Sequence, residues 1–390
     1  MFIKSIRQKY LVIARDMAKD IHKDFQKLME IEKEEFTHAD SHLPLEKRKE
    51  LIDAKMKKLI AQKDKLVKDI QANTEVSDQE KEQDLTRLNG HITHYRKGLL
   101  SMENAIKWRD KPVVKDADWE MEPQGEKLKS SKPGGITSFS LPSGHTCPMA
   151  GECKNHCFAL SGQTEYNPVC RDSYSKALGL AERDDFVKKM NEQIKAKYRK
   201  STFPDPKNPF RIHGWGDFYS NKYAKKWAEI IKSNPNVWFY AYTKSHNMPQ
   251  VRKWIKTISD GKVPNLKIIQ SVNGRADKKI DPSEPIAVVF KSKNDMNAWN
   301  RGETKGPTLT KLSNQLSKLG IFVKDGTFKE CKKSDLVAAD PSVKRIGIVE
   351  HGILHQPKTY KIDEVEDGMR KITASVMEPI HCEQLSGFKK

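Results

Sequence analysis

Between Ile136 and Val349 short apolar runs alternate with longer helical stretches, and this alternation restricts the fold more than any other feature of the chain. The strand candidates are Ile136–Leu141, Phe210–His213, Val237–Thr243, Leu266–Val272, Ile286–Phe290 and Arg345–Val349. Helical stretches separate them, from Asp172 to about Lys200, over Lys222–Lys232 and over Pro249–Ser259. Strands alternating with helices form βα units, and βα units form a parallel sheet. The pattern predicts an α/β fold, a partial or irregular (βα) barrel, with a doubly wound sheet as the alternative.

The first hundred or so residues have a different character. Gly90 is their first glycine, Pro44 their one proline, and no cysteine or tryptophan precedes Trp108. Apolar residues recur at heptad steps at Ile3, Ile6, Tyr10, Ile13, Met17, Ile21, Phe25 and Leu28. After Pro44, which suits a first helical turn, a second run uses Ile52, Met56, Leu59, Leu66 and Ile70. Ser77 with Glu80 resembles a capping box opening a third helix that ends near Trp108. Helices that cannot bury their stripes alone fold back on one another, so residues 1–109 are expected to form a coiled-coil hairpin or bundle. Residues 110–135, with Lys111-Pro112, Glu122-Pro123-Gln124-Gly125 and Ser130-Ser131-Lys132-Pro133-Gly134-Gly135, read as a linker. The α/β region is expected over 136–354, with a polar tail at 355–390.

The formal net charge is +19, which suggests a polyanionic partner, most simply nucleic acid gripped by the basic helical arm. Solvated helix faces are the plainer explanation of those lysines. The arm also offers a surface for self-association or for a host factor. No signal peptide opens the chain, and no apolar run approaches the roughly 20 residues of a membrane span. A soluble cytoplasmic protein with no membrane partner is the expectation.

Four of the six cysteines fall in one window. Cys147, Cys153 and Cys157 are spaced C-x5-C-x3-C, and Cys170 follows. Thiolates are soft ligands for zinc and for iron–sulfur clusters, and close spacing lets one loop wrap a metal centre. Four ligands, Cys147, Cys153, Cys157 and Cys170, would close a structural zinc site, with His145 or His156 as substitutes for a cysteine. Three cysteines on a cluster would instead leave one iron open. A disulfide or plain buried cysteines are the bland alternative.

In a barrel of this type functional groups gather where strands end. The cysteine loop follows the first strand; Gly214, Gly216 and Asp217 follow the second. Thr243 and Lys244 follow the third, and Asn273, Gly274 and Arg275 the fourth. All are therefore expected on one rim. Glycines in the Gly214-Trp215-Gly216-Asp217 turn let a ligand approach the backbone, and Asp217 suits an amine or a ribose. His213 reads equally well as a core histidine, and Trp238, Phe239, Tyr240 and Tyr242 as alternating core packing.

These motifs resemble a known family. Ser140–Pro148, continuing to Cys157-Phe158-Ala159, looks like the opening motif of the phage "gene product 88" family. Arg211–Phe218 and Phe239–Ser245 match its next two blocks in order, and the likeness spans roughly Ile136 to Val349. That family in turn looks like a relative of radical S-adenosylmethionine (SAM) enzymes. The resemblance implies a [4Fe–4S] cluster on Cys147, Cys153 and Cys157, with SAM on its open iron and near Gly214, Gly216, Asp217 and Lys244. It implies radical-SAM-like chemistry, on nucleic acid or nucleotides. The spacing departs from the usual C-x3-C-x2-C, Cys170 offers a fourth ligand that would close the cluster, and Cys331 stands almost alone in the later chain. A zinc-stabilised, non-catalytic nucleic-acid-binding protein is the alternative.

Overall fold

The computed structural model describes residues 43–72, 77–111, 136–151, 153, 157, 168–331 and 335–349. The heptad run from Ile3 to Leu28, the linker beyond residue 111 and the polar tail lie outside them. Among the described residues, 44–103 form one compact unit and 104–349 another.

The first unit holds helix α1 (Leu45–Ala72) and most of α2 (Asp78–Arg109). They begin directly after Pro44 and Ser77, where the sequence places helix starts. Leu45, Ile52, Ile92, Tyr95 and Met102 are buried. Among the described residues ion pairs join charged residues of these helices: Lys47 with Glu50, Lys57 with Asp53, and Lys49 on α1 with Glu103 on α2 at 3.0 Å.

The second unit is a mixed α/β structure built on seven parallel strands. These are β1 (Thr137–Phe139), β2 (Phe210–Ile212), β3 (Phe239–Thr243), β4 (Leu266–Ser271), β5 (Ile286–Phe290), β6 (Lys329–Glu330) and β7 (Arg345–Val349). Their order is β1-β2-β3-β4-β5-β7-β6. A doubly wound sheet reverses near its middle; this one runs unbroken from β1 to β5 and reverses only at its far end. β1 and β6 are edges, so the sheet is open among the described residues.

Helices α3 (Pro168–Glu182), α4 (Phe186–Lys197), α5 (Asn221–Ser233), α6 (Pro249–Ile255), α7 (Thr257–Asp260), α8 (Lys293–Asn300), α9 (Leu309–Lys318) and α10 (Leu336–Ala339) complete the unit. Right-handed crossovers that step in one direction put their helices on one face. Accordingly, Phe139 packs on Phe186 of α4 and Trp227 of α5, Phe210 packs on Trp227, and Phe239 packs beside Phe210. Ile286, Val288 and Phe290 of β5 meet Met296, Trp299, Leu309 and Leu316 of α8 and α9 on that face. The β6-to-β7 crossover steps backwards, and its helix α10 lies on the opposite face. There Ala338, Ala339 and Val343 cover Trp238, Tyr240, Ile269, Ala287 and Ile346.

One long helix was expected from Asp172 to Lys200; two are found, interrupted after Glu182. At the break Arg183 donates to the distant carbonyls of Arg109 and Lys111 and to the neighbouring carboxylate of Asp185. Lys226 donates to the carbonyls of Ala181 and Arg183, at 2.7 Å each. Apart from the Arg183–Asp185 pair these interactions are long-range, and none of them shows in the apolar period.

Candidate functional site

The loops at the carboxyl ends of β1, β2 and β4 are tied to one another by backbone hydrogen bonds. Leu141 N donates to Trp215 O at 3.0 Å, Gly214 N to Phe139 O at 3.1 Å, and Asp217 N to Thr146 O at 3.2 Å. On the other side of Cys147, Arg275 N donates to Met149 O at 3.0 Å. The cysteine loop is thus held by the turn after β2 at Thr146 and by the loop after β4 at Met149.

Two glycines make these approaches sterically allowed. Gly216 has φ +85°, and a Cβ there would stand 2.7 Å from both Leu141 Cβ and Thr146 Oγ1. At Gly274 a Cβ would meet Met149 O at 2.9 Å and Lys244 Cβ at 3.0 Å. Side chains at either place would push the cysteine loop off the edge.

Asp217 is buried, and its carboxylate accepts from Phe218 N at 2.7 Å, Thr243 Oγ1 at 2.6 Å and Lys244 N at 2.8 Å. Burial pushes its carboxyl up to about 6, against these hydrogen bonds and the Lys244 charge. On this geometry Asp217 braces the ends of β2 and β3 against each other. Lys244 Nζ crosses to Ser271 Oγ of β4 at 2.7 Å. Asn273, at φ +73°, and Gly274 turn their amides onto the Asp277 carboxylate at 2.9 and 2.8 Å. His213 is a core histidine. Its Nε2 lies 3.0 Å from the Tyr223 hydroxyl, its ring is 4.7 Å from that of Phe218, and burial followed by the Arg211 charge holds it down to about 3.

Cys147, Cys153 and Cys157 are half-buried thiols. Cys170 sits in the first turn of α3, and its side chain lies outside the described residues. Among the described residues no three His, Cys, Asp or Glu side chains converge closely enough to hold a metal ion. The donor chemistry of the loop suits a soft metal; the ligand convergence such a centre needs is not present among these residues.

The sequence reading missed a polar cluster on the sheet face that carries α10. Cross-strand register aligns Ser138, Arg211, Tyr240 and Lys267 in one row. The Arg211 guanidinium pairs with the Asp335 carboxylate, which also accepts from the Tyr240 hydroxyl at 3.0 Å and from Cys331 Sγ at 3.0 Å. Burial would raise the Asp335 carboxyl, but Arg211 beside it holds it below its ordinary value. Burial, with Asp335 adjacent, pushes the Cys331 thiol up to about 12, so Cys331 stays protonated here. Lys267 Nζ donates to the carbonyls of Asp340 and Val343. An arginine inside a three-residue strand was the available signal.

The gene product 88 family matches residues 114–339 of the chain. The chain belongs to this family. The match begins within the expected linker and ends at α10, so it takes in the cysteine loop, β1 to β6 and the Arg211–Asp335 cluster. A "Gene 88 protein" of Mycobacterium phage L5 is 32% identical over 119 residues, which is 28% of this chain and 48% of that relative. The chain therefore spans about half the length of this curated relative. No solved structure matches. Among the described residues no helix is long and apolar enough to cross a membrane.

Proposed function

We propose that this phage-family protein is an iron–sulfur enzyme of the radical-SAM type, acting on nucleic acid or nucleotides. In this reading Cys147, Cys153 and Cys157 hold the cluster, and the edge formed by Gly214, Gly216 and Lys244 receives SAM. The observation that carries the proposal is the clamping of the cysteine loop, at Thr146 and Met149, onto the turns after β2 and β4. Cofactor and substrate sites of parallel α/β sheets lie at this carboxyl edge. The parallel strands follow in sequence order from β1 to β5, which supports this reading without closing a barrel.

A bound cluster would supply single-electron reduction. The chain's own contributions are positional. Gly216 keeps the β2 turn close to the loop, Asp217 locks that turn to β3, and Lys244 ties β3 to β4. Loading requires the three thiols to deprotonate and the loop to close around the metal.

Anaerobic purification followed by iron and sulfide analysis tests the proposal. Brown protein with visible charge-transfer absorbance is expected, and Cys153→Ala should lose both colour and iron. Colourless protein that retains one equivalent of zinc would sink the cluster and leave the zinc-stabilised, non-catalytic alternative. Retained iron in a triple Cys→Ala variant would remove the loop from the site.

A further inference from the structure

We infer that the segment from Phe186 to Lys279 presents a nucleic-acid-binding surface on its outer helices, with unpaired strands as the form it fits, and that the N-terminal helices do not. Residues 186–279 carry 21 Lys and Arg against 6 Asp and Glu, a net charge of +15. Residues 1–109 carry 23 against 19, a net charge of +4. Most of the chain's excess positive charge therefore sits on the α/β unit, in a quarter of the sequence.

Ion pairs occur in both regions, and in the basic segment Lys189 pairs with Glu192, Lys256 with Asp281 and Lys262 with Asp260. On α1 lysines 47, 49 and 57 are paired with carboxylates. At the end of α4 and in the turn after it, Lys195, Lys197, Arg199 and Lys200 are all exposed. None of the four lies within ion-pair distance of a carboxylate among the described residues. Cations at a helix C-terminus favour the dipole, which accounts for one or two of them. It does not account for Arg199, Lys200 and Lys207 continuing past the helix end.

The same loop presents Phe203, 65% exposed. The loop that carries it is braced. The buried Tyr198 donates its hydroxyl to Pro209 O at 3.0 Å, and Asn236 Nδ2 donates to Ser201 O at 2.8 Å. An aromatic ring held out on a fixed loop among unpaired cations is the combination that binds single strands, by stacking one base while phosphates meet the cations. A duplex has no base to offer it. This loop precedes β2, at the sheet edge opposite the cysteine loop, so it anchors a strand rather than delivering a base to the candidate site. The inference does not depend on the cluster.

Fluorescence anisotropy with a labelled single-stranded oligonucleotide and the matching duplex, using the full chain, tests it. Joint Lys195→Glu, Lys197→Glu, Arg199→Glu and Lys200→Glu should weaken single-strand binding about tenfold or more. The slope of log affinity against log salt should flatten by about 0.7 for each phosphate that is no longer neutralised. Phe203→Ala should weaken the single strand about tenfold and spare the duplex. Lys57→Glu with Lys58→Glu on α1 should change neither. Unaltered binding by the fourfold variant would overturn the inference, as would weakening confined to the α1 variant. So would phosphatidylserine vesicles that bind more tightly than the oligonucleotide. Circular dichroism confirms that each variant is folded, and iron content, measured in parallel, reports on the cofactor proposal separately.

Discussion

Asp217 gives the candidate edge a pH dependence that follows from its burial. Its carboxyl has an ordinary value of 3.8 and lies at about 6 in the fold. Between these values the folded state binds more protons than the unfolded one, so stability falls as pH rises through this window. The favourable contribution is complete below about pH 4 and is lost above about pH 6, a difference on the order of 3 kcal/mol. Asp217→Asn abolishes this titration. Urea midpoints at pH 4.5 and pH 7 should therefore diverge less for Asp217→Asn than for the parent chain. Equal divergence in the two proteins would mean that Asp217 is ionised throughout. The glycines of this turn were legible in the sequence because Gly214-Trp215-Gly216-Asp217 follows a clear strand. The bracing role was not, since its partners Thr243 and Lys244 belong to the next βα unit.

At the scale of elements, the β6-to-β7 crossover is pinned across the sheet by Arg211 of β2. The side chains of Arg211 and Asp335 are only 14% and 13% exposed, and they lie 124 residues apart in sequence. Removing one partner leaves the other charge buried, which costs about 3–5 kcal/mol, whereas replacing both with apolar residues of similar volume is far less harmful. Arg211→Met and Asp335→Leu should each destabilise strongly, and the double variant should recover most of the loss in a urea-denaturation cycle. Additive losses would show that the two residues act separately. No sequence periodicity reveals such a pair. Strands buried on both faces announce themselves as apolar runs, and so β3, β4, β5 and β7 were readable. β6, with only Lys329-Glu330, offers no apolar signal. The break between α3 and α4 is hidden for the same reason as the ion pair, because Arg183 is held by Arg109 and Lys111.

The whole molecule places its candidate cofactor loop on an edge strand of the sheet. β1 has three residues and one neighbour, whereas β4 has six, all buried, between two long partners. Local opening costs least where few buried side chains must be exposed. Hydrogen exchange should therefore be slowest in β3 to β5 and faster at both edges, β1 and β6. A loop on a weak edge can close around a metal without disturbing the core, and binding then stabilises the closed form by mass action. Anaerobic loading with iron and sulfide should slow exchange in β1 and at residues 141–151, through the bonds to Trp215 and Arg275. β6, at the far edge, should not change. Uniform slowing of both edges would indicate general stabilisation rather than closure of the cysteine loop. Composition alone gave a charge of +19 without a location, and the visible lysines of the N-terminal helices drew the nucleic-acid assignment towards the arm. Nineteen acidic residues there cancel most of that charge, and the same edge-by-edge exchange measurement with an oligonucleotide should protect 198–209 while leaving β1 unaffected.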